Sequence, residues 1–317
     1  MSGNSPLRIC YFGLPLGALL LARDGHRIEL CVLSPVAAPG LRRVRRELGA
    51  RVLQASELGS ELDSRVNSAL ETAQSELLVS WFWTRRLPLA WLTRPERGAI
   101  GVHPSLLPRH RGPNPYFWAI DAGDSETGVT VHRLEAEYDT GHILDSESIP
   151  VGTRNAWELA RALDRPSLRT LRRTVRRFAE GKSPQEMPQR PELVSQAPEP
   201  SGELLRVDFG WTSERVLRRI RALSPVPGLA LTLAGLPFFV TRAEPASGFV
   251  ATLEPGEAQI LGGRLLLRTG DGAIAVSRAT REDELGDAVD MNGADLAHLL
   301  AERLGSRAAK SFKGEPG

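Results

Sequence analysis

Two side chains in this sequence are placed for acid–base chemistry, His103 and Asp139. His103 ends the apolar run AIGVH, and Pro104 follows at once, so a titratable ring sits at the mouth of a buried strand on stiffened backbone. Asp139 opens the turn Asp139-Thr140-Gly141 within TGVTVHRLEAEYDTGHIL. Imidazole titrates near neutral pH, and a neighbouring carboxylate orients the ring and favours its charged form. Such a pair suits proton transfer. The plainer reading is a surface corner with an incidental histidine and an ordinary Asp-Thr-Gly turn. These residues alone leave both open.

The surrounding pattern says which elements would hold them. Residues 7–12, 28–33, 51–53, 76–81 and 99–102 are short apolar runs, and 16–23, 41–48 and 61–73 have helical character, with breaks at Gly13 and Gly25. Strands alternating with helices predict an α/β fold with a doubly wound, mostly parallel sheet, whose ligands lie at the carboxyl ends of the strands. Gly13 and Gly17 are not spaced as G-x-G-x-x-G, which argues against a nicotinamide dinucleotide. The stretch 154–184 predicts a long helix that buries Leu159, Leu163, Leu168, Leu171, Val175 and Phe178, turns its arginines to solvent and stops at Gly181. Residues rich in Pro, Gln, Glu and Ser follow. TSERVLRRIRALSP then reads as a helix capped by Thr212 or Ser213, with Val216, Ile220 and Leu223 inward. Short strands split by Gly-Gly and Asp-Gly turns predict a small β-barrel beyond it. The expected organisation is a catalytic domain at 1–182, a linker at 183–203, an OB-like barrel at 204–305 and a flexible tail at 306–317.

A chain of 317 residues suits two such domains. A net charge of +2 excludes a polycationic binder, so nucleic acid would have to meet local arginine clusters. Cys10 and Cys31 lie in apolar runs without framework spacing, which predicts a reducing compartment. With no signal-like start and no membrane-length apolar run, a cytoplasmic monomer or weak dimer is expected, with no membrane and no metal.

HPSLLPRHRGPNPYFWAIDAGDSETGVTVHRLEAEYDTGHIL resembles the core of the folate-dependent formyltransferases, most closely the methionyl-tRNA formyltransferases. YFGLPLGALLLARDGHRIELCVLSP resembles their first βαβ unit, and VDFGWTSERVLRRIRALSPVPGLALTLAG the start of their OB-like C-terminal domain. The resemblance implies formyl transfer from 10-formyltetrahydrofolate to an amine, with initiator methionyl-tRNA as partner. A small amine, such as an amino sugar or a specialised metabolite, is the alternative acceptor. It makes His103 the group acting at the formyl oxygen or on the proton, and Asp139 the group that fixes the imidazole. Folate neighbours would come from SWFWTRRLP (Trp83, Thr84, Arg85 and Leu87), from Ser105, Leu106, Leu107 and Pro108, and from Tyr138, Thr140 and Gly141. Trp81 reads better as core.

Two departures from the family pattern matter. Its catalytic asparagine is Gly101 here, and removing one such oxyanion donor costs about 10²–10³ in rate. A slow enzyme, a substitute donor such as Asn114 or a water, or a protein that binds without turnover would each follow. The basic loop that enters the tRNA acceptor stem in the methionyl-tRNA enzymes is also shortened. Arg42, Arg43, Arg45 and Arg46, with Arg111, remain as candidate phosphate contacts, or as the outer face of a surface helix.

Overall fold

The computed structural model describes residues 5–36, 38–54, 60–182, 184–248, 252–283, 285–304, 312–313 and 315–316. Its first sheet is built from β1 (Arg8–Gly13), β2 (Arg27–Leu33), β3 (Val52–Gln54), β4 (Leu77–Trp81), β5 (Ala99–His103), β6 (Glu126–Arg133) and β7 (Ile143–Pro150). They lie in the order β3-β2-β1-β4-β5-β6-β7. From β3 through β5 all pairings are parallel, and those of β5 with β6 and of β6 with β7 are antiparallel. The strand order reverses at β1, which opens a crevice at the carboxyl ends of β1 and β4.

The helices that alternate with and follow these strands along the chain are α1 (Pro15–Arg23), α2 (Leu41–Leu48), α3 (Ser60–Glu71), α4 (Leu89–Leu92), α5 (Pro115–Asp121) and α6 (Ala156–Ala179). Proline at the first position of α1 sets φ for the helix, and Gly25, at φ 93°, takes the left-handed bend just after it. The β1 burial pattern is nearly continuous, as parallel strands covered on both faces require. Phe12, Val32, Leu53 and Leu78 pack there against Val66 and Leu70 of α3. Cys10 and Cys31 are buried free thiols. All six residues expected on the inner face of α6 are buried. Some of its arginines are paired with carboxylates: Arg172 clasps Asp24 and Arg173 clasps Asp145, at 2.5–2.8 Å.

Two compact units divide the chain. The first comprises Met1–Pro115, Glu126–Pro150 and Ala162–Pro198; the second comprises Tyr116–Ser125, Val151–Arg161 and Glu199–Gly317. In the second, α7 (Ser213–Leu223) carries its cap at Thr212, whose hydroxyl accepts the Arg215 N–H at 3.3 Å. The strands β8 (Leu229–Leu233), β9 (Leu236–Ala246), β10 (Glu257–Leu261), β11 (Arg264–Arg268), β12 (Ala273–Glu282), β13 (Ala288–Asn292), β14 (Phe312–Lys313) and β15 (Glu315–Pro316) form a curled antiparallel half-barrel, with α8 (Gly293–Leu304) packed on β11 and β12. Gly262-Gly263, both at positive φ, turn β10 into β11, as a two-residue hairpin needs.

Arg219 departs from the amphipathic reading of α7. It is 3% exposed, and its guanidinium grips the Asp121 carboxylate at 2.7 and 3.0 Å. It also donates to the Leu204 and Arg206 carbonyls, each at 2.9 Å. Burial raises the Asp121 pKa, but hydrogen bonds from Arg219 and Arg215 outweigh it and leave the carboxyl below its ordinary range.

Of the stretch 183–203, Met187 exchanges backbone hydrogen bonds with Ile143, and Ala197 donates to the Arg111 carbonyl at 2.6 Å. Of the tail 306–317, residues 306–311, 314 and 317 lie outside the described residues. Among the described residues no helix is long and apolar enough to cross a membrane.

Candidate active site

Antiparallel pairing of β5 with β6 sets His103 opposite Thr130 and Gly101 opposite His132. Residues two apart on a strand share a face, so this register gathers both histidines on one side of the sheet. Asp139, on the turn after β6, points its carboxylate between them. Oδ2 lies 3.5 Å from His103 Nδ1, and Oδ1 lies 3.6 Å from His132 Nε2. His103 Nε2 is 2.8 Å from the His110 carbonyl oxygen, which can only accept, so Nε2 carries a hydrogen and Nδ1 faces the carboxylate.

The backbone fixes this arrangement at some cost. Among the described residues, five non-glycines have positive φ; His110 and Asp139 are two of them and Phe82, in the loop after β4, is a third. Left-handed backbone costs an L residue about 1–2 kcal/mol, and such strain concentrates at functional sites. Gly112 supplies the remaining hydrogen bond, N–H to Asp139 Oδ2 at 3.0 Å. At φ +123°, a Cβ there would meet the Ala197 oxygen at 2.9 Å, so the position demands glycine. Gln189 donates to the carbonyls of Asp139 and Gly141 at 2.8 and 2.7 Å and accepts from Arg111 at 2.6 and 3.0 Å. Ser195 Oγ accepts the His110 N–H at 2.9 Å. Gln189, Ser195 and His132 escaped the sequence reading. Only His132 carried a signal, lying two residues along the same strand from Thr130.

The other expected residues fall in several places. Leu87 lines a cavity of about 330 Å³ together with Arg86, Pro88, Leu89 and Ala136, within the size range of small-molecule sites. Trp83 packs edge-on against Phe12, and its buried indole N–H makes no hydrogen bond among the described residues. Thr84 and Arg85 are exposed. Trp81 belongs to the core as expected, 2% exposed and bonded to Ser167 at 2.9 Å. Thr130 Oγ1 donates to Ser105 O at 2.7 Å and accepts the Leu107 N–H at 3.0 Å, so it anchors the SLLP turn. Leu106 lies over Gly128, and a cis bond joins Leu107 to Pro108. Tyr138 is 55% exposed beside the pair, Thr140 bonds to Glu137 O at 3.1 Å, and Gly141 lies against the Arg133 backbone. Asn114 donates its backbone N–H to Ala197 O at 3.0 Å; the atoms nearest a side chain built at Gly101 belong to Leu134 and His132. Arg42, Arg43, Arg45 and Arg46 are exposed on α2, where Arg43 pairs with Glu47 at 2.6 Å and Arg45 with Gln54 at 2.7 Å.

The described site is thus a His–Asp pair at the strand ends of an α/β sheet, in a chain that continues into an antiparallel half-barrel. The chain belongs to the formyl transferase family and is a formyltransferase: the family's Formyl transferase profile matches residues 27–164, and the profile of its C-terminal domain matches 201–291. It is 36% identical over 267 residues to the methionyl-tRNA formyltransferase of Acidiphilium cryptum, covering 81% of this chain and 80% of that one. The fold is also that of HypX from Aquifex aeolicus, solved with tetrahydrofolic acid, at TM-score 0.65 and 21% identity. That match takes in 95% of this chain and 48% of HypX, so this chain spans about half its length. The N-formyltransferase from Helicobacter canadensis, solved with folinic acid and dTDP-3-aminofucose, gives TM-score 0.64 at 15% identity over 85% of this chain and 98% of that one.

Proposed function

We propose that the chain transfers the formyl group of 10-formyltetrahydrofolate to the amino group of methionyl-initiator tRNA. The similarity to the Acidiphilium cryptum enzyme carries this reading, because it extends over both the catalytic region and the half-barrel. The folate would supply an activated formyl group when bound, and the cavity lined by Leu87, in the segment after β4, is the proposed place for part of it. His103 acts as proton carrier. Its Nε2 is committed to the His110 carbonyl, which leaves Nδ1, on the Asp139 side, to gain and lose a proton. Asp139 holds that ring in place, its Oδ2 3.5 Å from Nδ1.

The test is incubation of the purified protein with 10-formyltetrahydrofolate and methionyl-initiator tRNA, with uncharged tRNA and nucleotide-linked amino sugars in parallel. Formylated methionyl-tRNA is expected. Product on the amino sugar alone would assign a small-amine acceptor, and no product in any arm would overturn the reading.

The exposed arginines of α2 are proposed to meet RNA phosphates, a contact that releases counterions. Changing Arg42, Arg45 and Arg46 together to serine is expected to lower the slope of log affinity against log salt by about 1–3 in tRNA binding measurements. An unchanged slope would make these arginines the solvated side of a helix.

A further inference from the structure

The space beside Gly101 is already taken. A Cβ built there would lie 2.6 Å from Leu134 Cδ2 and 3.3 Å from His132 Nε2, its direct partner across the β5–β6 ladder. His132 is 2% exposed. Its Nδ1 lies 2.8 Å from the Arg133 carbonyl oxygen, an acceptor only, so the ring hydrogen of neutral His132 is on Nδ1 and Nε2 presents a lone pair. That lone pair faces Asp139 Oδ1 at 3.6 Å. Two acceptors turned toward each other repel unless a hydrogen comes between them or reaches both from one side.

We propose that His132 is a catalytic residue of this centre: Nε2 and the Asp139 carboxylate form a pair of acceptors that receives the hydrogen leaving the attacking amine. The proposal rests on formyl transfer to an amine as the reaction. The amine nitrogen bonds to the formyl carbon, and the bond from that carbon to the donor nitrogen breaks, its electron pair going to the donor nitrogen. The hydrogen shed by the amine passes to the acceptor pair, and His103 Nδ1, on the other oxygen of the same carboxylate, carries it on to the donor nitrogen. The pair ends as it began, and no further reactant is needed.

The surroundings keep His132 in the accepting state. Burial lowers its pKa to about 4; Asp139 pulls it up, while His103 and Arg111 push it further down. These are the titratable and charged groups facing the ring. The lone pair therefore persists at neutral pH. His132 does not replace the missing amide as a donor to the formyl oxygen, since its one hydrogen points away, to Arg133. It supplies the opposite function, acceptance, on the amine side.

Two measurements test this. In the full chain labelled with ¹⁵N-histidine, ring-nitrogen shifts should show His132 as the Nδ1–H tautomer at pH 7, gaining charge only as the pH approaches 4. An Nε2–H tautomer or a charged ring at pH 7 would overturn the proposal. In kinetics, His132→Met, which keeps bulk without an aligned acceptor, should lose about 10²-fold or more in kcat, while His132→Gln recovers part of it. Melting temperature and binding of 5-formyltetrahydrofolate should stay near wild type, which separates a chemical role from a packing role. Wild-type turnover in His132→Met would end this proposal and leave the proposed function standing. A wild-type protein that transfers no formyl group would end the proposed function, and the spectra would still decide whether an accepting ring faces Asp139.

Discussion

Replacement of His103 by alanine is expected to lower formyl-transfer turnover by about 10³-fold or more. General acid–base groups contribute about 10²–10⁴ to rate, and here the proposed proton carrier is removed outright. The change leaves β5 with its ladder partners, because the strand is held by backbone pairing to β4 and β6. Single-turnover rates at saturating donor, with circular dichroism as the check on folding, give the comparison. Turnover within threefold of wild type would remove His103 from the mechanism. Asp139→Asn provides a graded companion. The amide preserves shape and loses charge, so a smaller rate loss and an altered pH profile are expected.

The largest effect on stability is expected at Asp121. Arg219 is buried against it, and Arg215 approaches the same carboxylate at 3.0 Å. Both guanidiniums also lie over Trp211, 5.3 and 4.6 Å from its ring centre. In Asp121→Ala the Arg219 charge stays in the interior without its partner, a situation that costs about 3–5 kcal/mol. Asp121→Leu combined with Arg219→Met removes both charges and should cost much less, since a buried pair is weakly stabilising as a unit. Urea unfolding followed by tryptophan fluorescence measures both. A loss under 1 kcal/mol in Asp121→Ala would mean that water reaches the pair.

Periodicity reported what one element buries, and there it served well. The bounds of α2, the six inward residues of α6 and the cap at Thr212 were all legible in the sequence. It was silent wherever the deciding partner is remote. Arg219 looked like another outward arginine because its carboxylate is 98 residues away. Strand β7, ILDSESIP, alternates polar residues at the edge of the sheet, so it lacks the apolar run that marks a central strand. His132 read as one polar residue in a strand, since nothing local shows that the register places it opposite a glycine. Gln189 and Ser195 sat in a segment whose composition describes a tether, and composition cannot express two hydrogen bonds to a turn 48 and 50 residues upstream.

That last arrangement bears on how much chain the chemistry needs. His103, His132 and Asp139 all precede residue 182, so a fragment cut there would hold every reactive group named above. It would lack the carboxamide that clamps Asp139 and Gly141 from outside, and with it the aim of the carboxylate. Any piece of this enzyme that is to keep the carboxylate aimed should therefore extend past Gln189.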